Sequence, residues 1–574
     1  MANVEIRRVG RTTWLVLALI IVGACALSAS TWHAYSHTWD EPEHLAAGLQ
    51  LLDRGRYEYD TQHPPFARIL IALGPYLAGA RSYGTPPPVG VQEGIDILYN
   101  TGHYDLYLTL ARLGALPFLA LLLWSTWLWA RRLARTQWEA LLAVALVAST
   151  PPVLGHAALA TLDVAAAGTT LLALYTLQSW MSSRRRRDAI SFGMASGIAI
   201  GTKLSAIPYI GCGLVALLIV RATLEPRETT GVNSAWAWRV QTATLVLVAT
   251  IVPILFVYGG SIGLIGAPRD SSWIFGEIFR VHFSASGLWS SVISHVRLPG
   301  GLWGLARSVA SLEGHNDAGH PSFLLGSTRS MGWWYFYLVA LAAKTPLPLL
   351  GVGTVGMIAA ARDGWRERNV WLVAPAALFV AVLSFASAYS HINIGIRHVL
   401  VLYPFMALGA AYVTARVMGA AFAAGGWRKG LLVSLTSGLL LWQAWPLWAD
   451  HPDYLPYFNE AIAHPRQVLV DSDLDWGQDL RRLEQRLAAL KVPEVALAYM
   501  GTADLAREAL PPWRQLAPNC PTTGWIAITA LAREHALQGY SWLDAYQPRE
   551  RVGKTTDLYF IPAVAGGEAA QCHG

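Results

Sequence analysis

Apolar runs close to the thickness of a bilayer alternate along the chain with short polar and basic stretches. A spanning helix needs roughly 20 apolar residues, with 17 to 25 the usual range. Runs of that kind occupy 14–30, 106–130, 138–154, 160–181, 240–262, 333–360, 370–388, 398–418 and 430–448. The stretch 189–221 holds two short spans hinged near 203–208, which gives about eleven spans in all. The fold class expected is an all-α polytopic membrane protein.

Basic clusters orient the spans, since cytoplasmic loops carry the excess of Lys and Arg. They fall at 7–11, 131–135, 184–187, 221–227, 362–368 and 428–429. All lie on one side if 65–80 is not a span. That segment is short, bounded by prolines and carries Arg68, which suits a helix lying in the interface. The N-terminus is then inside. Arg7, Arg8 and Arg11 before the first run resemble a signal sequence, but the many spans that follow favour an uncleaved first helix. The outer face collects the loop 31–105, turns near 155–163 and Lys203, the loop 263–332, the turn 389–397 and the tail after 450. A membrane unit over 1–449 and an extracytoplasmic domain over 450–574 follow.

The tail reads as a small α/β domain. Strands are expected at 467–471, 495–499, 525–529 and 558–561, around a helix near 477–490. It has no Gly-rich phosphate loop.

Composition excludes a soluble enzyme: 54% of the 574 residues are hydrophobic and 14% charged, against about 25% charged in soluble domains. The 25 Trp and 22 Tyr suit headgroup belts. The net charge of +6 sits in the orienting clusters, so no nucleic-acid partner is implied. Cys25 and Cys212 lie in apolar runs, whereas Cys520 and Cys572 lie in the tail and are free to pair in an oxidising compartment. No ligand spacing indicates a metal, and no cofactor is expected.

The chemistry-bearing residues gather in the outer segments. The first loop reads Thr38-Trp39-Asp40-Glu41-Pro42-Glu43-His44 and then Asp60-Thr61-Gln62-His63-Pro64-Pro65-Phe66-Ala67-Arg68. A carboxylate shielded at the membrane surface can act as a base. The plainer reading of Asp40 or Glu41 is a helix cap before Pro42. The stiff His-Pro-Pro turn followed by Arg68 favours an anionic, lipid-linked ligand.

This loop resembles the first luminal loop of the protein O-mannosyltransferase-type glycosyltransferases, a group similar to the enzymes that add aminoarabinose to lipid A. The resemblance implies the GT-C fold, a polyprenyl-phosphate sugar donor and a bacterial plasma membrane with the active site facing outward. It implies Asp40 as catalytic base in an inverting transfer, with Glu41 in support. It places His63 and Arg68 at the donor; the family usually has Lys where Arg68 stands, and Arg binds phosphate with a different geometry. Leu159-Ala160-Thr161-Leu162-Asp163 is similar to the second acidic motif, and Thr161 or Asp163 is equally a helix cap. Lys203 ends a span on the outer side, by function or by snorkelling. Lys344, behind an aromatic stretch at 333–337, and Arg397 with His398 are further candidates for phosphate or substrate.

The tail motif Asp471-Ser472-Asp473-Leu474-Asp475-Trp476-Gly477-Gln478-Asp479 lacks the spacing of a calcium loop. It reads as a turn in which Asp475 caps the next helix, or as carboxylates and Trp476 meeting acceptor sugar. The expected activity is hexosyl or pentosyl transfer from a lipid-phosphate-linked sugar to a glycan, lipid or protein acceptor. The rivals are a transporter or flippase with an outer glycan-binding domain, and a membrane-anchored sensor. Transporters often carry inverted repeats and broken helices near the midplane, and neither is evident in the sequence.

Overall fold

The computed structural model describes residues 9–86, 89–183, 185–225, 232–259, 300–536 and 538–562. Cys572, Arg184, Arg227 and the part of the second large outer loop from 263 to 299 lie outside them.

Among the described residues, seven helices are long and apolar enough to cross a bilayer: Arg11–Ala29, Tyr104–Leu133, Ala206–Leu224, Val240–Tyr258, Val370–Tyr389, Leu402–Ala424 and Gly426–Ala449. Two bent pairs raise the number to nine. About eleven were expected over the whole chain. The difference lies in Asp163–Ser182, which carries Asp163 and Gln178 and is buried along most of its length, and in Arg186–Ile200, which has only 15 residues. Asp163–Ser182 nevertheless runs alongside Ala206–Leu224, with Asp163 bonded to Lys203 at one end and Ser182 to Arg221 at the other, and on Arg186–Ile200 the side chains of Ile190 and Met194 are exposed.

The bent pairs correct two expected continuous spans. Gln137–Ala148 and Pro151–Ala157 meet at 64°, and Phe336–Lys344 and Leu347–Arg366 at 119°. Prolines explain both breaks, since the ring removes a donor and disfavours a helical residue before it. Pro151 and Pro152 follow one gap, and Pro346 lies in the other. The hinge near 203–208 is present as a turn between Arg186–Ile200 and Ala206–Leu224.

The first outer loop folds into three helices, Glu41–Arg54, Phe66–Leu77 and Gly90–Asn100. The second has 12 residues, too short to span. Glycines let the three pack backbone to backbone. A Cβ on Gly94 would fall on the carbonyl of Pro42, and one on Gly48 on the carbonyl of Arg68. Gly94→Val is expected to displace the helix that begins beside Asp40. A lower melting temperature of the purified protein, with weakened turnover, checks this; unchanged melting would refute it.

In the tail, a five-stranded sheet runs in the order Trp513–Gln515, Val495–Ala498, Gly524–Thr529, Thr556–Ile561 and Glu550–Val552. The first three are parallel and the last two antiparallel to their neighbours. Leu480, Leu483 and Leu487, on one face of helix Leu480–Ala489, cover Leu497, Ala527 and Leu558. Ile526, Ile528 and Tyr559 pack on the other side with Leu543. The expected strand at 467–471 is absent. Pro465–Val468 is a helical turn and Asp471–Asp473 a 3-10 turn, because Pro465 and the successive Asp and Ser side chains favour local turns over a ladder. Cys520 is disulfide-bonded, while Cys25 and Cys212 are free.

Candidate active site

A cavity of about 430 Å³ opens where Ala206–Leu224 begins and Val370–Tyr389 ends, beside the first-loop helices and Gly300–Ala318. Its lining includes the apolar side chains of Leu204, Ile207, Pro208, Leu312 and Phe385. The lining also includes the ionic side chains of Asp40, Glu43, Asp60, Lys203 and Arg397.

Asp40 precedes helix Glu41–Arg54 but makes no side-chain cap bond. Its Oδ2 instead accepts from Arg397 Nη1 at 2.6 Å. The same nitrogen lies 3.7 Å from Asp163 Oδ2, and Asp163 Oδ1 accepts from Lys203 Nζ at 2.7 Å. Four residues from four distant segments thus form an alternating chain, Asp40, Arg397, Asp163, Lys203. Arg397 Nε and Asp163 Oδ2 are buried without a hydrogen-bond partner, so the chain keeps bonding capacity for a ligand. Neither Thr161 nor Asp163 caps Asp163–Ser182, whose N-cap is Leu162.

Glu41 does not share this site. Successive residues at a helix start point in different directions, and Glu41 turns inward to a two-pronged pair with Arg112 (Nε–Oε1 2.8 Å, Nη2–Oε2 2.9 Å). Its carboxylate also accepts from the backbone N–H of Thr38 at 2.7 Å and of Ala160 at 2.8 Å. Burial works to raise its pKa, but Arg112 and these donors hold it below the ordinary value. Glu41 therefore ties the loop to helix Tyr104–Leu133 and has no face left for substrate.

Arg68 is likewise consumed. It is fully buried, paired with the Asp60 carboxylate, and donates to Tyr57 Oη at 2.7 Å, Asp60 O at 2.8 Å and His44 Nδ1 at 3.1 Å. It braces the His-Pro-Pro turn rather than facing the cavity. Lys344 is also buried away from it, donating to the carbonyls of Leu455 (2.9 Å) and Asp473. The sequence placed Lys344 within one continuous span, and the 119° bend puts it under the tail instead. His63 and His398 line the cavity, and His398 Nδ1 lies 3.2 Å from Tyr337 Oη.

The sequence reading passed over Glu43 as a site residue. Positions i, i+3 and i+4 share a helix face, so Asp40, Glu43 and His44 all reach the cavity while Glu41 cannot. Burial, with repulsion from Asp60 and Asp40 that outweighs attraction to Arg68, pushes Glu43 up to about 7. Burial and the Arg68 charge hold His44 well below the usual histidine range, and burial likewise lowers His63. Glu43, His44 and His63 thus lean toward their neutral forms within an otherwise ionic lining. Because the folded state keeps the Glu43 proton that the unfolded chain gives up near 4.5, stability falls as pH rises from about 4.5 to about 7. Glu43→Gln removes that dependence. Melting temperatures across pH 4.5–8 should diverge over this window with the variant higher at pH 8; parallel curves would count against it.

The tail motif is buried too, and neither acceptor-facing carboxylates nor an exposed Trp476 is seen. Asp475 accepts from Gly477 N at 3.2 Å and Leu531 N at 2.7 Å, so it serves the start of helix Ala530–His535 rather than the helix that follows it. Among the described residues no group of three or more His, Cys, Asp or Glu is placed to hold a metal.

Residues 17–262 match the family model of dolichyl-phosphate-mannose-protein mannosyltransferase. The match includes Asp40, Asp163 and Lys203 and stops before Arg397 and the tail. No curated protein matches. Among solved structures, the chain is similar to ArnT from Cupriavidus metallidurans bound to undecaprenyl phosphate, with 12% identity, TM-score 0.45, and 96% of this chain and 98% of that one covered. It is similar to the Archaeoglobus fulgidus oligosaccharyltransferase AglB in complex with an inhibitory peptide and a dolichol-phosphate, with 13% identity, TM-score 0.47 and 76% of this chain covered. There the chain spans only 55% of the relative. The S. cerevisiae Pmt1-Pmt2 protein O-mannosyltransferase complex bound to the sugar donor gives 17% identity and TM-score 0.35 over 44% of this chain and 34% of that one.

Proposed function

We propose, from the premise that this chain is a multi-pass membrane glycosyltransferase of the GT-C kind using a lipid-linked donor, that it transfers a sugar from polyprenyl phosphate with inversion and with Asp40 as the base. One observation carries the reading: the Asp40–Arg397–Asp163–Lys203 chain meets a cavity that Leu204, Ile207 and Phe385 also line, so ionic and apolar groups share one lining. An amphiphile with a phosphate between an isoprenoid and a sugar matches that combination.

The polyprenyl chain would lie along Leu204, Ile207 and Phe385. Lys203 and Arg397 would meet the phosphate. The acceptor hydroxyl oxygen attacks the anomeric carbon from the face opposite the phosphate, and Asp40 takes its proton. The bond between that carbon and the phosphate oxygen breaks, and polyprenyl phosphate leaves with the bonding pair. Cations fixed at the leaving phosphate lower the barrier because they need no reorganisation as charge develops. Asp163 keeps both cations in place. Arg221 lies in the last turn of Ala206–Leu224, away from the cavity, and Arg366 and Arg368 just precede Val370–Tyr389, whose other end meets it, which supports an extracytoplasmic site.

The test is release of polyprenyl phosphate from a panel of radiolabelled polyprenyl-phosphate sugars by protein in lipid, offered glycan, lipid and peptide acceptors. Lys203→Gln should raise the donor KM by roughly ten- to a hundredfold, since a hydrogen bond to a charged group contributes about 1.5–3 kcal/mol. An unchanged KM would remove Lys203 from the donor site.

A further inference from the structure

The wall behind Arg397 comes from the tail. Trp476 is buried, and its ring centroid lies 4.4 Å from Arg397 Cζ. Behind the indole stand His156, at 6.2 Å between ring centroids, and the side chains of Leu159 and Leu455. The indole is therefore backed by packed groups.

The surrounding motif grips both partners of the Asp40–Arg397 pair through their neighbours in sequence. The Trp476 carbonyl accepts from Trp39 N at 3.1 Å, next to Asp40. Asp473 Oδ1 accepts from Ile396 N at 3.0 Å, next to Arg397. Ser472 Oγ donates to the Ile394 carbonyl. Arg397 itself is held by carboxylates through one nitrogen, Nη1, which leaves the plane of its guanidinium to be set by what it lies against. An arginine over an indole face is attracted by the ring quadrupole.

We propose that Trp476 is a positioning residue for sugar transfer: its indole fixes the plane of the Arg397 guanidinium, so that Nη1 faces Asp40 and the remaining donors face the lipid phosphate. The outer domain thereby supplies part of the phosphate-binding end. This rests on the reading of Arg397 as a phosphate ligand.

The experiment compares Trp476→Leu, Trp476→Phe, Arg397→Gln and the Trp476→Leu/Arg397→Gln double variant, as full-length protein in lipid, by affinity for polyprenyl phosphate and by donor kcat/KM. Trp476→Leu should weaken binding roughly three- to thirtyfold, the range of a cation over an aromatic face. Trp476→Phe keeps an aromatic face and should recover most of it. The double variant should bind no worse than Arg397→Gln alone, because residues acting through one contact are not additive. Losses that multiply in the double variant would overturn the proposal and leave Trp476 as packing. So would wild-type affinity in Trp476→Leu while Arg397→Gln is impaired. Wild-type affinity in Arg397→Gln would instead overturn the phosphate reading, and this inference with it.

Discussion

Asp40→Asn should lose about 10²- to 10⁴-fold in turnover, the usual contribution of a positioned general base, while binding polyprenyl phosphate. The asparagine side chain is the same size and still faces Arg397, but it takes no proton from an acceptor hydroxyl. Arg397 keeps Asp163 at 3.7 Å, so the cation is not stranded by the change. Turnover of donor and affinity for polyprenyl phosphate, measured on the same preparation, separate chemistry from binding. Turnover within a few fold of wild type would rule out Asp40 as the base. Loss of both would make it a structural partner of Arg397 instead.

The second large effect is on stability. Arg112 and Glu41 are each about 1% exposed and form a two-pronged pair. Removing one partner of such a pair leaves the other buried and uncompensated, at a cost of about 3–5 kcal/mol. Arg112→Met should therefore lower the folded yield and the melting temperature sharply. Arg112→Met with Glu41→Leu should recover part of the loss, because exchanging a whole buried pair for apolar groups is often neutral. If the single variant melts like wild type, the pair does not carry the loop.

The membrane class was legible because hydropathy and basic clusters reflect bilayer physics residue by residue. The number of spans turned on how helices with buried polar residues are counted. Asp163–Ser182 carries buried Asp163 and Gln178, which lower its apolar score, yet it runs from Lys203 to Arg221 beside Ala206–Leu224. The breaks at Pro151 and Pro346 had visible causes in the prolines, yet the hydropathy windows averaged across them. In the site, Asp40, Asp163, Lys203 and Arg397 were all marked by charge at an outer helix end, and they converge. Arg68 and Lys344 had the same mark and do not, because nothing in a residue's neighbourhood in sequence tells whether its charge is already bonded in the fold. Glu43 was overlooked beside the Asp-Glu pair, although its spacing from Asp40 on a helix was the available signal. The strand expected at 467–471 is absent because Pro465 starts a helical turn through Val468, and just beyond it Ser472 and Asp473 bond to the backbone of Ile394 and Ile396.

The hydrogen bond from Arg481 N to Ser36 Oγ joins residues 445 positions apart, and this sets a timetable for biosynthesis. Ribosomes add about 5–20 residues per second, so the first loop waits roughly 20 to 90 s for its partner to be made and then exported. Throughout that interval the nascent chain carries Asp40 and, late on, Arg397, but not the indole and carbonyls that hold them. A chain cut short before residue 470 would carry Asp40 without the Trp476 carbonyl that holds its neighbour Trp39. The surroundings of Asp40 and Arg397 are complete only once residues 472–476 have been made.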